Sequence, residues 1–323
     1  MAHAGVPRVS GALGVAIFFV LSGYLITGMM SREFSVSGAI SIRRFYLKRS
    51  FRIFPAFYAC ILLNLALIGL HNLRINWRGV ALAGLYAMDY VRAVTPAAQQ
   101  TFPFQWITWS LAIEEQFYLV WPVTLVLLLR RGVRVDHAML WIIGALWVYR
   151  AAIVLVFHAS LIYVYNAFET RVDALLIGSL LAILESRSLV PGFVHSLWTL
   201  AGSLAVLAAY SLAETWFWTR PMPTLATYYI LPICAAVALL HSKNIKTQSA
   251  VITWIAALSY SLYLYHTVAL EEAYRLSSTP VVVRCMAIAG TLALATFSYY
   301  CVERPFMRYR LSFEARRYRL PRS

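Results

Sequence analysis

The residues best suited to binding a phosphate-bearing molecule are Arg49 and Arg52. They are three positions apart, and residues at i and i+3 of a helix share a face. Two guanidinium groups on one face can each bind phosphate oxygens through paired hydrogen bonds. Anchoring at a membrane surface is the alternative, and the neighbouring Arg43, Arg44 and Lys48 fit that alternative.

Glu114 is a second candidate, because it lies in a long apolar segment together with Trp109, Ser110 and Tyr118. A carboxylate inside a membrane span is costly, so such a residue is a functional candidate by default. It could hold an arginine or orient a histidine. A helix N-terminus also tolerates a carboxylate through the helix dipole, so a structural role stays open.

Arg171 and Asp173 flank the start of another apolar segment. They could form an ion pair with each other or with Glu114, or they could bind hydroxyl groups of a substrate. On a later apolar helix, Tyr260, Tyr263 and His266 recur at spacings of three, which predicts a shared face. A buried histidine in such a setting is as easily a core residue as a binding residue.

The composition identifies the elements that must hold these residues. Of 323 residues, 61% are hydrophobic and 13% are charged, against about 45–50% and about 25% in soluble domains. The excess of 28 Lys and Arg over 13 Asp and Glu fits cytoplasmic anchoring of membrane helices rather than nucleic-acid binding. No histidine pattern predicts a metal site. Nine apolar segments predict an all-α, polytopic bundle: 11–30, 53–70, 106–129, 138–157, 172–184, 197–213, 225–241, 251–270 and 281–302.

Segment 79–92 is too short for a full crossing and contains Asp89, so we expect a re-entrant or interfacial segment. With nine crossings, the basic clusters of 43–52 and of the C-terminal tail lie together on the cytoplasmic side. The last helix should end at Pro305, with Glu303 paired to a cytoplasmic arginine. We expect one membrane domain over 1–310 and a basic cytoplasmic tail over 311–323.

Six motifs in a fixed order resemble the acyltransferase-3 family of bacterial integral-membrane O-acyltransferases. The resemblance implies ten helices in the cytoplasmic membrane with both termini inside. It also implies transfer of an acyl group, usually acetyl, from cytoplasmic acyl-CoA to a hydroxyl. Nine crossings then imply that the family's first helix is missing from this chain. The motifs are AHAGVP to SGYLIT (2–27), RRFYLKRSFRIFPAFY (43–58), TWSLAIEEQFYLVWP (108–122), FETRVDALLIGSLLA (168–182), LSYSLYLYHTV (258–268) and VERPFMR (302–308).

The resemblance also implies roles for individual residues. His3 matches the essential histidine of the family, which would accept the proton of the attacking hydroxyl or carry the acyl group covalently. Glu114 falls at a family motif position, and Arg49 and Arg52 would bind the CoA phosphates. Gly23, with Ser22, would leave room for the pantetheine arm, or else the two residues serve close helix packing.

The expected function is therefore acyl transfer to a surface or secreted glycan, to a lipid-linked saccharide or to a small molecule. Acyl-CoA is expected as a co-substrate, with no bound cofactor. A catalytically inactive membrane partner is one alternative, prompted by the missing helix. A transporter is another, although the sequence shows no inverted repeat.

Overall fold

All nine apolar segments form helices, which confirms the predicted all-α fold. A computed structural model of the protein describes residues 11–94, 108–218, 221–243 and 249–317. Within those ranges every regular element is helical. The helices are α1 Gly11–Ser37, α2 Ile42–Leu70, α3 Trp77–Gly84, α4 Met88–Val94, α5 Thr108–Arg130, α6 Val135–Leu155, α7 Leu161–Asn166, α8 Val172–Ser186, α9 Leu197–Trp218, α10 Pro221–Ser242, α11 Ala250–Leu276, α12 Pro280–Ser298 and α13 Arg304–Arg317.

Six of these helical stretches are long and apolar enough to cross a membrane, so the chain is a multi-pass membrane protein. The helix α8 has only 15 residues, fewer than the roughly 20 that span a bilayer core. The count of nine crossings stays a prediction. The six stretches are Gly11–Ser37, Ile42–Leu70, Thr108–Arg130, Val135–Leu155, Thr224–Ser242 and Pro280–Leu311.

The helix α2 begins 11 residues before the apolar segment that predicted it. Ser41 caps its N-terminus by accepting a hydrogen bond from the backbone N–H of Arg44. The basic cluster is therefore helical. Arg49 and Arg52 lie one turn apart within a single helix, as their spacing predicted.

The segment predicted not to cross forms two short helices, α3 and α4. With eight and seven residues, they are about 12 Å and 10 Å long, far less than a bilayer core of about 30 Å. The intervening Tyr86 has a positive φ of 54°. The side chain of Gln116 on α5 holds the turn, since its Nε2 donates to Tyr86 O and to Asp89 Oδ2, both at 3.0 Å.

The last helix does not end at Pro305, so that prediction was wrong. A π turn over Tyr299–Glu303 follows α12 and leads directly into α13. A proline inside an α-helix lacks an N–H and clashes with the carbonyl four residues earlier. The wider π turn places Pro305 near a new helix start, where the missing N–H costs little. The expected domain boundary at 310 also falls within α13.

The helices α1 and α8 pack in close backbone contact. A Cβ on Gly23 would lie 1.9 Å from Leu175 O, and a Cβ on Gly178 would lie 1.9 Å from Val20 O. Ser179 Oγ also donates to Gly23 O at 3.1 Å. Because α8 fills the space beside Gly23, the contact supports the helix-packing alternative for this residue, and its role beside a pantetheine arm stays a prediction.

Candidate active site

Glu114 lies at the centre of a buried polar group between α1 and α5. Its side chain is almost fully enclosed, and it accepts a hydrogen bond from the hydroxyl of Ser22 on α1. The Ser22 oxygen is also hydrogen-bonded to the hydroxyl of Tyr118, one turn further along α5. Since Ser22 donates its only proton to Glu114, Tyr118 donates to Ser22.

Arg49 on α2 completes this group. Its Nη2 lies 3.7 Å from Glu114 Oε1, and its guanidinium carbon lies 3.5 Å from the centre of the Tyr118 ring. The ring face attracts the cation, so Arg49 is held by both a charge and a π system. Its Nε is buried and has no hydrogen-bond partner in the described part of the chain. We call Ser22, Arg49, Glu114 and Tyr118 the Glu114 site.

Arg52 lies one turn beyond Arg49, and it is exposed. It forms no ion pair with any described residue. The two arginines predicted as a pair therefore differ, because Arg49 contacts Glu114 directly, whereas Arg52 interacts with Glu303 and Glu114 only at longer range.

The helix α11 and the π turn form the neighbouring wall. Tyr260 donates from its hydroxyl to the carbonyl of Ile53 at 3.1 Å. Glu303 is buried and accepts a hydrogen bond from Ser261. It also interacts electrostatically with Arg52 of the basic cluster, in keeping with the expected arginine partner, although the two form no direct ion pair. The π turn directs Glu303 toward α11 instead of toward the basic tail.

Ser110 and His266 lie at another level of the bundle. Ser110 and Tyr263 share a hydrogen bond between their hydroxyls. His266 Nδ1 lies 2.6 Å from the carbonyl of Tyr263 in its own helix, and a carbonyl only accepts, so Nδ1 carries the proton. His266 therefore makes a hydrogen bond within its own helix.

Asp173 belongs to a second cluster of charged residues. Its Oδ1 lies 2.6 Å from Arg150 Nη2 on α6, and its Oδ2 accepts from Trp147 Nε1 at 2.9 Å. The predicted pairings of Asp173 with Arg171 or Glu114 were wrong. Arg150 was not predicted as a partner, although an arginine within an apolar span was a signal that could have found it.

Arg171 packs against aromatic rings rather than against a carboxylate. Its guanidinium carbon lies 4.6 Å from the ring centre of Tyr228 and 5.5 Å from that of Tyr165. The ring of Trp109 lies 4.6 Å from that of Tyr165. Because Trp109 and Glu114 are on the same helix, α5 joins this cluster to the Glu114 site.

The α3–α4 segment contacts α5 through Gln116 and the residues before α8 through Glu169. Burial raises the pKa of Asp89 to about 6, although the hydrogen bond from Gln116 opposes the shift. The hydroxyl of Tyr90, the next residue on α4, donates to Glu169 Oε2 at 2.8 Å. Glu169 is two residues before Arg171 in the sequence. His3, the expected catalytic residue, lies outside the described residues.

Comparison with known proteins gives the same family that the motifs indicated. The family model described as an acyltransferase domain, Acyl_transf_3, matches residues 2–300. The chain is 29% identical over 320 residues to the O-acetyltransferase OatA of Staphylococcus aureus strain NCTC 8325, covering 91% of this chain and 52% of the relative. OatA of strain COL gives the same values.

The chain spans about half the length of the curated relatives it matches. No solved structure matches it. The family model covers well over half of the chain and includes every residue of the Glu114 site. The chain therefore belongs to the acyltransferase-3 family of membrane proteins.

Proposed function

We propose that the protein is a membrane O-acyltransferase that moves an acetyl group from acetyl-CoA to a hydroxyl. The observation that carries the proposal is the Glu114 site, which joins an ion pair and two hydroxyls across three helices. Ionisable residues at such depth are costly and mark sites of function. The two Staphylococcus aureus relatives are named as O-acetyltransferases, which supports the same reaction.

Arg49 and Arg52 bind the phosphates of the donor in this proposal. Arg52 is exposed and free of ion pairs among the described residues, and Arg49 keeps one unused N–H donor. Both lie in the first turns of α2, beside the basic cluster. By the positive-inside rule this end faces the cytoplasm, where acyl-CoA is found, and the C-terminal tail lies on the same side of the bacterial cytoplasmic membrane.

The transfer forms one bond and breaks one bond. The acceptor oxygen attacks the thioester carbon, a C–O bond forms, and the C–S bond breaks to release CoA. His3 takes the hydroxyl proton and returns it to the sulfur. The alternative route passes the acetyl group first to His3 and then to the acceptor. Glu114 is a positioning residue that holds Arg49 and fixes the reacting groups.

The acceptor is a hydroxyl of a glycan or of a lipid-linked saccharide, and a small-molecule acceptor is the further candidate. In this proposal it approaches from the end opposite to the donor, where the rings of Trp109 and Tyr165 pack against each other beside Arg171. This arrangement lets the two substrates meet inside the bundle without sharing an entrance.

The test is acetyl transfer from labelled acetyl-CoA in membranes that contain the full-length chain. His3→Ala and Glu114→Gln should each lose most of the labelling while expression stays at the wild-type level. Glu272→Gln is the matched control, because this carboxylate pairs with His71 and Arg275 away from the site. Unchanged labelling in both His3→Ala and Glu114→Gln would contradict the proposal.

A further inference from the structure

The second charged cluster contains more buried donors than acceptors. Arg150 is fully buried, Arg171 is 4% exposed and Tyr228 is 4% exposed. Their unused polar atoms find no hydrogen-bond partner in the part of the chain that the structure describes. These atoms are Arg150 Nε and Nη1, Arg171 Nε and Nη2, and the Tyr228 hydroxyl oxygen.

This arrangement is unfavourable for an empty site. Each buried donor without a partner costs about 1–3 kcal/mol, and a buried charge without a counter-ion costs more. Asp173 neutralises one arginine through its contact with Arg150. The cluster as described therefore keeps one uncompensated positive charge, on Arg171.

The unused donors lie around one phenol ring. The guanidinium carbon of Arg171 is 4.6 Å from the ring centre of Tyr228, and that of Arg150 is 5.8 Å from the same ring centre. Tyr229 supports Arg150 from another direction, with its ring centre 5.3 Å away. Two planar groups of N–H donors and one hydroxyl near a common point form a receptor for oxygen lone pairs.

We propose that this cluster binds an oxyanion, a carboxylate or a phosphate, carried by the acceptor substrate. A negatively charged oxygen group supplies the missing charge and accepts the unused N–H and O–H donors. The proposal rests on the proposed function, because it assigns the anion to the acceptor. It also goes further, since it makes the acceptor an acidic or phosphorylated molecule rather than a neutral sugar.

The position of the cluster separates it from the donor site. The helices α1 and α8 run in the same direction, since Gly178 lies against Val20 while Ala182 lies against Gly28. Arg171 precedes α8 and thus lies toward the N-terminal end of α1. Arg49 and Arg52 belong instead to the start of α2, which follows the C-terminal end of α1.

The distance between the two sites also suits a single acceptor. Gly23, next to Ser22 of the Glu114 site, lies against Leu175. Arg171 is four residues before Leu175, so the two sites are offset by one to two helical turns, roughly 5–10 Å along the bundle. A sugar can span this offset, with its hydroxyl at the Glu114 site and its anionic group at Arg171.

The test uses thermal unfolding of the purified full-length chain with no acetyl-CoA present. Sodium glucuronate or inorganic phosphate is compared with sodium chloride at equal ionic strength. Either anion should raise the Tm of the wild type by several degrees, because a ligand bound only to the folded state stabilises it. A rise with glucuronate alone identifies a carboxylate acceptor. A rise with phosphate alone identifies a phosphorylated acceptor if Arg171→Gln abolishes it, because phosphate bound at Arg49 and Arg52 would not depend on Arg171.

Variants then locate the bound anion. Arg171→Gln should abolish the rise, and Tyr228→Phe, which removes a single hydroxyl, should reduce it. Arg187→Gln should keep it, since Arg187 pairs with Asp136 away from both clusters. If Arg171→Gln does not fold, Tyr228→Phe decides the matter.

Two results would overturn the inference: no rise in the wild type with either anion, or an equal rise in Arg171→Gln or, if that variant does not fold, in Tyr228→Phe. Neither result bears on acetyl transfer, because no donor is present. Conversely, loss of the proposed transferase activity would leave an anion-induced rise in Tm intact. The two proposals can therefore fail separately.

Discussion

The two charged clusters of the bundle differ in charge balance and in burial. In the Glu114 site, one arginine faces one carboxylate at 3.7 Å, and the arginine side chain is 19% exposed. In the second cluster, Arg150 contacts Asp173 at 2.6 Å with both side chains almost fully buried, and Arg171 adds a further charge. A long, partly exposed ion pair suits residues that also contact a substrate. A short, buried ion pair suits residues that hold two helices together.

The comparison separates the roles that the motifs alone could not distinguish. Asp173 and Arg150 form a buried ion pair, and Arg150 and Arg171 both have polar atoms without a hydrogen-bond partner in the described part of the chain. In the Glu114 site, Arg49 forms the ion pair and also has an unpartnered N–H. In our proposals, Arg171 serves binding alone, whereas Arg49 and Arg150 each combine an ion pair with donors left for a ligand.

The largest effect is expected from a change in the backbone contact between α1 and α8, which sets the distance between the two clusters. Gly23→Ala places a Cβ 1.9 Å from the carbonyl oxygen of Leu175, and backbone atoms cannot move aside cheaply. We expect most of the folded protein to be lost in detergent size-exclusion chromatography. Gly14→Ala is the matched control, because a Cβ there meets no atom within 4 Å. Equal recovery of the two variants would refute the close contact.

A large loss of activity is expected from the Glu114 site. Glu114→Gln keeps the shape of the side chain and removes the charge that faces Arg49. The acetyl-transfer rate in membranes should fall by about 100-fold or more, as for other groups that organise charge in an active site. The Tm should change little, since Arg49 retains solvent contact and the Tyr118 ring. A large fall in Tm with normal activity would show that Glu114 is structural, and it would contradict the role assigned to the Glu114 site.

The opposite pattern is expected for Asp173→Asn. This change leaves Arg150 fully buried without a counter-ion, and breaking a buried pair costs about 3–5 kcal/mol. We expect a clear decrease in Tm, and the protein that remains folded should keep its acetyl transfer. Asp136→Asn is the comparison variant, because its partner Arg187 is partly exposed. A smaller loss in Asp173→Asn than in Asp136→Asn would contradict this assignment.

The smallest effect is expected from Asp89, in the first turn of α4. Its pKa in the folded protein is raised to about 6 from 3.8, chiefly by burial. The folded state therefore binds more protons, and stability decreases as pH rises from about 4 to about 6. Asp89→Asn should remove this dependence, raising Tm by a few degrees more at pH 7 than at pH 4. An identical change at both pH values would show that Asp89 titrates normally.

The fold was predictable because long apolar segments can form little except helices in a membrane. All nine apolar segments found from hydropathy form helices, and the segment 79–92, predicted not to cross, forms two short helices. The start of α2 was missed, since its first turns are basic rather than apolar. The end of the last helix was also predicted wrongly. A π turn precedes Pro305 and accommodates it, and hydropathy gives no signal for a π turn.

The Glu114 site was largely predictable, whereas the second cluster was not. Glu114, Arg49, Ser22 and Tyr118 were all candidates, because charges and small residues stand out in apolar segments. Their mutual contacts depend on how helices pack, which spacing along one helix does not reveal. The Arg150 and Asp173 pair joins α6 to α8, and the pairing of Asp173 was therefore assigned to the wrong residues.

The most direct test of the division between the two clusters is a crossed determination of two KM values. Arg52→Gln and Arg171→Gln are each assayed for acetyl-CoA and for the acceptor. We expect Arg52→Gln to raise only the KM for acetyl-CoA, and Arg171→Gln to raise only the KM for the acceptor. Each increase should be about 10-fold, the value of one lost charge-assisted hydrogen bond. If both variants raise the KM for the same substrate, the two clusters do not bind separate substrates.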